Sequence, residues 1–228
     1  MTYRVDSDIY YPYDTFIPCN GECQVDEYWT EKEVLENVRR KTKLVMQALS
    51  DCENHMFYLA FENSVCKDYI TEKFWNLKHL IVPIVLSRRV FKQTKIPDNV
   101  YIAVDDFNNI TELANYLLYL QRNKTEYLKY FDWTKTYRKT TYRLIYNKYD
   151  IIARQAYINS FNGTNAPSYN PLCNLCELAH KQHKNGHPRH IIRDIWKYWK
   201  SPYICIENWA DIWLKGRHKE VYEKANWQ

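Results

Sequence analysis

The chain has 228 residues, a formal net charge of +5 and only four glycines. These glycines are scattered singly, which excludes a dinucleotide fingerprint and a P-loop, because both motifs need closely spaced glycines. Hydrophobic residues make up 46% of the chain and charged residues 26%, which is typical of a globular protein and excludes a disordered one. Lys and Arg are spread along the whole chain, so the charge suits an anionic small substrate as well as nucleic acid.

Hydrophobic patterning predicts a parallel α/β sheet in the first 120 residues. Residues 1–30 are expected to form loops and short extended pieces. Residues 31–50 show helical spacing, and Thr30 with Glu33 fits a capping box. The further predicted elements are a strand at 57–61, a helix at 71–80, strands at 81–86 and 100–104, and a helix at 110–120 capped by Asn108 or Asn109. This order argues for parallel strands with helical crossovers.

The second half is less regular. Residues 125–156 have a Tyr-rich helical pattern, which glycine and prolines interrupt at 161–171. Histidines at 180–190 are irregularly spaced, which favours a solvated polar stretch over a metal-binding tract.

The seven cysteines allow two interpretations. Cys19-x3-Cys23 and Cys173-x2-Cys176 could supply four thiolates to zinc. Alternatively the cysteines form disulfides in a secretory lumen, and an odd number leaves at least one without an intrachain partner. Three glycosylation sequons, at Asn109, Asn123 and Asn162, favour the lumen.

The beginning of the chain does not match that location. Its first residues do not resemble a signal peptide, and the longest apolar run, 80–86, is far shorter than the ~20 residues that span a bilayer. We therefore expect a segment upstream that directs entry into the lumen.

Residues 61–73 are the most informative block. They are expected to leave a buried strand and enter a helix, where open α/β sheets bind ligands. Lys73 can neutralise a phosphate, Glu72 can hold sugar hydroxyls, Tyr69 can stack or donate, and Asn63 can donate or accept. The alternative is a polar loop with ordinary helix caps.

The block FENSVCKDYITEKFW, residues 61–75, closely resembles the signature of Golgi α1,3-fucosyltransferases, the glycosyltransferase family GT10. The opening TYRVDSDI with Tyr11-Pro-Tyr13 resembles the TYRxDSDI…PY stretch of that family. The later VPIVL, IPD, YIAVDDF and YFDW segments follow the family's order. The clear resemblance covers residues 1–18 and about 51–135.

The resemblance implies an α/β fold of the GT-B type. The chain would form the C-terminal Rossmann-like half, with an incomplete parallel sheet and a helical C-terminal tail. Residues 1–50 would be a remnant of the inter-domain segment with a helix, 51–156 the GDP-fucose-binding Rossmann-like domain, and 157–228 a tail carrying the CxxC. The resemblance also implies a location on the lumenal side of the Golgi cisterna membrane, with type II topology in the full-length family.

The resemblance also implies a reaction and a site. Fucose would pass from GDP-fucose to a GlcNAc hydroxyl of a glycoprotein glycan in α1,3 linkage, with inversion. Glu72 and Lys73 would be the catalytic residues. Asn63, Tyr69, Glu72 and Lys73 would bind the donor, with Tyr13 near the nucleotide. Lys73 would offset the growing charge on the diphosphate.

Other expectations concern ions and partners. No tightly bound cofactor and no metal site are expected, with Mn²⁺ at most a stimulating ion. Asp6-Ser-Asp8 looks like a metal-binding DxD, but we interpret it as structural because GT-B enzymes do not rely on one. The partners would be GDP-fucose and a GlcNAc-containing glycan, without nucleic acid. Membrane attachment would require an anchor missing from this chain.

The chain also departs from the family. The family's general base lies upstream of the TYRxDSDI stretch. A strand–helix–strand segment that supplies a donor-binding Arg has no counterpart, since residues 41–45 run directly into 46–52 and the FENS strand. The resemblance implies that Cys52, Cys173 and Cys176 have lost their disulfide partners, and that the helical pattern at 31–50 is a product of this junction.

These departures separate family from activity. We expect that this polypeptide alone transfers no fucose, and its ability to fold is in question. A non-catalytic GDP-sugar or glycan-binding remnant is the main alternative, and a basic nucleic-acid-binding module is a third.

Overall fold

The computed structural model describes residues 2–21, 23–47, 51–139, 171–186, 193–200 and 204–224. The predicted helical pattern at 140–156, the sequon at Asn162 and the break at 161–170 lie outside the described residues.

A four-stranded parallel sheet forms the centre of the fold, and the sequence predicts its parallel orientation and three of its four strands. In chain order, the strands of both sheets in the described residues are β1 (Lys43–Met46), β2 (His55–Leu59), β3 (Val65–Cys66), β4 (Val82–Val85), β5 (Ile102–Ala103) and β6 (Cys205–Ile206). The main sheet has the order β1-β2-β4-β5, and β3 pairs separately with β6 in antiparallel orientation. In the main sheet Phe57 lies opposite Val45 and Val82, and Ile84 lies opposite Ile102.

The helices of the described residues are α1 (Glu31–Arg40), α2 (Glu72–Trp75), α3 (Ile110–Arg122), α4 (Lys124–Leu128), α5 (Pro171–Asn185), α6 (Ile195–Lys200), α7 (Trp209–Leu214) and α8 (His218–Lys224). Short 3-10 helices occur at Val25–Glu27, Asn76–His79, Arg88–Phe91, Val104–Asp106 and Lys129–Lys135. Within the described residues, no helix has both the length and the apolar character required to cross a membrane.

The predicted helix at 31–50 is correct only in its first half. Thr30 and Glu33 form the expected capping box, but α1 ends at Arg40 and residues 43–46 form strand β1. The backbone N–H groups of residues 42 and 43 donate to the Asn54 carbonyl, and the edge of the sheet provides parallel pairing for the residues that follow. Non-local hydrogen bonds therefore override the helical pattern.

The predicted helix at 71–80 is also shorter than expected. It consists of one turn, α2, followed by the 3-10 helix Asn76–His79, and it ends at Leu80 with a left-handed φ of 56°. In the next predicted helix, Asn109 caps α3 by accepting from the Glu112 N–H, as predicted.

One hydrophobic core joins the sheet to its helices. Phe57 and Ile84 are fully buried in the central strands, and Leu120 is fully buried on α3. Tyr127, also fully buried, donates a 2.6 Å hydrogen bond to the Met56 carbonyl. Within the described residues, the sheet and its helices thus share one continuous hydrophobic core.

Two disulfides form among the described residues. Cys19 pairs with Cys23, and Cys66 pairs with Cys205, 139 positions away in the sequence. The zinc interpretation is therefore wrong, because two of its four sulfurs are in a disulfide. Within the described residues Cys176 is not in a disulfide, and the loss of disulfide partners by Cys52, Cys173 and Cys176 stays a prediction.

Candidate functional site

Polar residues follow the central strands at the carboxyl edge of the sheet. Glu62 and Asn63 follow β2, Ser87 follows β4, and Asp105 and Asp106 follow β5. Parallel strands bring their carboxyl ends to one edge, where α/β proteins bind ligands. The predicted block at 61–73 lies at this edge.

A group of four residues, which we call the Lys73 cluster, organises this loop. It consists of Glu62, Asn63, Thr71 and Lys73. The Glu62 carboxylate accepts from the Thr71 backbone N–H at 2.7 Å and from its hydroxyl at 2.8 Å. The Lys73 Nζ lies 3.1 Å from the Asn63 Oδ1 and 3.5 Å from the Glu62 Oε2. The loop thus folds back so that its last residues contact its first.

The partly exposed Lys73 ammonium is the feature of the Lys73 cluster that suits an anionic ligand. Burial raises the pKa of Glu62, while hydrogen bonds from Thr71 and the Lys73 charge act in the opposite direction. The Lys73 side chain keeps 27% of its surface exposed, against 12% for Glu62. Because a lysine ammonium has three N–H donors, Lys73 can contact both neighbours and still donate to an incoming phosphate oxygen. α2 is a single turn, so this charge, rather than a helix dipole, provides the electrostatic attraction.

Tyr69 lies on the same loop and is held by the N-terminal segment. Its ring centroid lies 5.2 Å from that of Tyr3. One residue earlier, Asp68 has a left-handed φ of 61° and accepts from the Val5 backbone N–H at 3.0 Å. The resemblance at residues 1–9 therefore corresponds to a segment that supports this loop.

The remaining predicted site residues, Glu72 and Tyr13, lie apart from these contacts. Glu72 is exposed at the start of α2. Burial raises the pKa of Tyr58, and the Glu72 charge adds to this rise while the Lys73 charge opposes it. Tyr13 is half-buried and packs against the hydrophobic core. The structure thus brings Asn63 directly against Lys73, with Tyr69 in the same loop, and puts Tyr13 on a separate segment.

Sequence reasoning missed a buried network at the same edge. Ser87 donates to Asp105 at 2.7 Å, and the Tyr222 hydroxyl on α8 lies 2.7 Å from both. The Trp209 indole on α7 donates to that hydroxyl at 2.7 Å. The C-terminal tail is thereby joined to the ends of β4 and β5. The sequence does show a serine and an aspartate, Ser87 and Asp105, directly after two predicted strands. No local pattern indicates that their partner is Tyr222 in the C-terminal tail.

Arginines on this edge have structural contacts. Arg88 makes two hydrogen bonds to the Asp106 carboxylate, at 2.8 and 2.6 Å, and a third to the Asp98 carbonyl. The Arg89 guanidinium lies 4.5 Å from the centre of the Tyr222 ring. These contacts hold the residues after β4 against β5 and the tail.

In the Asp6-Ser-Asp8 stretch, the Asp6 carboxylate is ion-paired with Arg4. Within the described residues, no group of three or more His, Cys, Asp or Glu side chains could hold a metal ion.

Comparison with known proteins identifies the family. The family model described as "Glycosyltransferase family 10 (fucosyltransferase) C-term" matches residues 20–198, which is more than half of the chain. Alpha-(1,3)-fucosyltransferase fut-5 of Caenorhabditis elegans is 34% identical over 181 residues, covering 60% of this chain and 48% of the relative. Alpha-(1,3)-fucosyltransferase fut-1 of the same organism is 44% identical over 90 residues, covering 39% of this chain and 20% of the relative.

A human relative gives the same result. The 4-galactosyl-N-acetylglucosaminide 3-alpha-L-fucosyltransferase FUT5 of Homo sapiens is 32% identical over 184 residues, covering 62% of this chain and 47% of the relative. The chain spans about half the length of such curated relatives. The alignment with fut-5 is 181 positions long, but it covers only 60% of the 228 residues of this chain. The alignment therefore includes positions of fut-5 that have no counterpart in this chain. The chain belongs to glycosyltransferase family 10, the fucosyltransferases.

Proposed function

We propose that the Lys73 cluster and Tyr69 form the binding site for GDP-fucose. The observation that carries this proposal is the position of the Lys73 ammonium, 3.1 Å from Asn63 and 3.5 Å from Glu62, at the carboxyl end of a central strand. Membership of a fucosyltransferase family and the resemblance of residues 61–75 to its signature support it.

Each residue has a distinct role in this proposal. Lys73 donates to the diphosphate and stabilises the negative charge that grows as GDP departs. Asn63 orients the ammonium and can bond the donor. Glu72, which is exposed beside Lys73, accepts from fucose hydroxyls, and Tyr69 contacts the donor from the same loop. Tyr13 is proposed to approach the nucleotide.

The reaction that we infer is transfer of fucose to a GlcNAc hydroxyl of a glycan, in α1,3 linkage and with inversion. The complete protein would act in the Golgi lumen, as the disulfides and sequons favour. The acceptor and the linkage rest on the family alone. Mn²⁺ would act at most as a stimulating ion.

Calorimetric titration with GDP tests the site. Replacing Lys73 by Ala removes a charged hydrogen bond, so GDP should bind about 10- to 100-fold more weakly. Lys32→Ala is the matched control, because Lys32 is exposed on α1 and should change affinity less than twofold. Equal affinity of wild type and Lys73→Ala would refute the proposed site.

A turnover assay separates binding from catalysis. We expect the 228-residue polypeptide to bind GDP without transferring fucose to a GlcNAc-terminated acceptor. Glu62 of the Lys73 cluster and Asp105 on the same edge of the sheet accept hydrogen bonds from Thr71 and Ser87, which makes each carboxylate less available to take a proton from an acceptor hydroxyl. Turnover above a Lys73→Ala control would show that the polypeptide is active by itself.

A further inference from the structure

A groove of about 650 Å³ lies at the amino edge of the main sheet, between α1 and the 3-10 helix Asn76–His79. Its lining includes Arg40, Glu53 and His79, which precede strands β1, β2 and β4. The Lys73 cluster lies at the other edge. Strand β2 has five residues, so the two edges are roughly 15 Å apart at about 3.3 Å per residue. The volume of the groove falls within the roughly 300–1,000 Å³ that is usual for small-ligand sites.

Two polar groups in the lining of this groove have no hydrogen-bond partner within the described residues. Asn37, on α1, is only 9% exposed, and its buried Oδ1 accepts no hydrogen bond. Trp29, just before α1, has a buried Nε1–H that donates to no acceptor. The Lys139 ammonium lies 4.9 Å from the centre of the Trp29 ring, but a cation cannot accept from the indole N–H. Because buried polar groups are rarely left unpaired, an unpaired acceptor and an unpaired donor in one groove indicate a ligand.

The charged groups of the groove restrict the class of this ligand. The carboxylates of Glu33, Glu36, Asp51 and Glu53 line it, together with the guanidinium of Arg40. A carboxylate only accepts hydrogen bonds and a guanidinium only donates them. A ligand that satisfies all these groups must therefore both donate and accept, as a hydroxyl group does. It must also lack a strong negative charge, because the excess of carboxylates would repel it.

We propose that this groove binds a neutral oligosaccharide and is a carbohydrate site separate from the donor site. Sugar hydroxyls accept from the Trp29 Nε1–H and donate to the Asn37 Oδ1. Others bond to Glu36, Glu53 and Arg40, which are exposed at the mouth of the groove. A glycan is favoured over a peptide, because most lining side chains are charged or amides and offer no apolar pocket to peptide side chains. The inference does not depend on the GDP-fucose proposal, since the two sites lie at opposite edges of the sheet.

Calorimetric titration of the 228-residue polypeptide tests the class of ligand. The probes are two neutral sugars, lactose and mannotriose, with 3′-sialyllactose as an anionic sugar and triglycine as a peptide. At least one neutral sugar should bind with a millimolar Kd. 3′-Sialyllactose should bind about 2- to 5-fold more weakly than the better neutral sugar, which is the effect of one exposed like charge. Triglycine should bind more weakly than either neutral sugar.

Two substitutions locate the binding. Trp29→Phe keeps an aromatic ring and removes the N–H donor, and Asn37→Leu keeps the approximate shape and removes the amide. Each should weaken binding of the neutral sugar about 3- to 10-fold, the effect of one lost hydrogen bond, and leave GDP affinity unchanged. Trp196→Phe and Asn115→Leu are the matched controls, because both residues are exposed and lie outside the groove.

Hydrogen exchange of the wild type provides a map that requires no variant to fold. Saturating sugar should slow amide exchange in residues 29–40 and 51–54, which surround the groove. Circular dichroism spectra and melting temperatures show which variants are folded and can be compared.

The outcomes distinguish this groove from the donor site. If neither neutral sugar binds, or if triglycine binds more tightly than both, the proposal fails. Sugar affinity that is unchanged in both Trp29→Phe and Asn37→Leu would overturn the assignment to this groove, as would protection confined to other residues. Lys73→Ala should lose GDP affinity and keep sugar affinity. If the sugar binds but wild type does not bind GDP, the groove stands and the donor-site proposal fails.

Discussion

The Lys78 ammonium lies 2.9 Å from the Asp14 carboxylate, and both side chains are at least 96% buried. Lys78 lies in the 3-10 helix that follows α2, and it also donates to the Thr15 carbonyl at 3.1 Å. Burial lowers the pKa of Lys78, and the Asp14 charge opposes that change. The pair therefore fixes the N-terminal segment, which carries Tyr13, to the helical turn behind the Lys73 cluster.

Removing one member of this pair should be severely destabilising. Asp14→Ala leaves a buried ammonium without its counter-ion, which costs about 3–5 kcal/mol. The double variant Asp14→Ala/Lys78→Met should recover much of that loss, because no buried charge remains. Urea unfolding of the wild type, both single variants and the double variant measures the coupling. Additive effects of the two substitutions would contradict the pairing.

The two disulfides should differ in their contributions to stability. Cys66–Cys205 closes a loop of 139 positions, whereas Cys19–Cys23 spans only 4. In the chain-entropy model the long loop contributes roughly 5 kcal/mol and the short one roughly 2. Unfolding of Cys66→Ala/Cys205→Ala should therefore occur at lower urea than that of Cys19→Ala/Cys23→Ala. The opposite order would show that Cys66–Cys205 does not stabilise the protein by restricting the unfolded chain.

Stability should rise with pH between about 8 and 10.5 because of Lys41. Its side chain is 2% exposed and donates to the carbonyls of Cys52 and His55. Burial lowers the pKa of Lys41 from 10.5 to about 8. In this window the unfolded chain binds a proton that the folded chain does not, so the free energy of unfolding rises with pH, by up to about 3 kcal/mol.

The difference between wild type and Lys41→Met isolates this effect, since cysteine and tyrosine groups titrate in the same range. Urea unfolding at intervals from pH 7 to 10.5 should show a smaller increase for the variant. Equal pH slopes would mean that Lys41 does not titrate abnormally.

Glycosylation should favour Asn109 over Asn123 when the protein is made in a secretory compartment. Asn109 is exposed, and it caps α3 through its oxygen, which leaves the amide nitrogen available to a glycan. The Asn123 amide nitrogen donates to the Tyr119 hydroxyl at 3.1 Å. Mass spectrometry of glycopeptides, with Thr111→Ala as a control that removes the sequon and keeps the cap, measures occupancy. A glycan at Asn123 alone would contradict this prediction.

Local signals predicted the parts of the fold that depend on neighbouring residues. The apolar run around Phe57 became β2, and Asn109 became the cap of α3. Strand β1 was predicted as helix, because its pairing with β2 depends on residues that no local window contains. The Cys66–Cys205 disulfide escaped prediction for the same reason.

The candidate site shows the same division. Asn63, Tyr69, Glu72 and Lys73 were selected from one continuous block, and the structure brings Asn63 and Lys73 of that block into direct contact. Glu62 was overlooked, since its importance appears only when the loop folds back to Thr71. Tyr222, which bonds to Ser87 in the buried network, lies more than 130 positions further along the chain. No motif spacing in the sequence could therefore predict this contact.

The Cys66–Cys205 bond also makes part of the chain a closed covalent ring. A protease that cuts one peptide bond between these cysteines would produce two polypeptides that stay joined as a single molecule. Such a nicked protein would keep Tyr222 tethered to the sheet and would migrate as two fragments only after reduction. Cleavage in this region could thus go unnoticed in any preparation that is examined without a reducing agent.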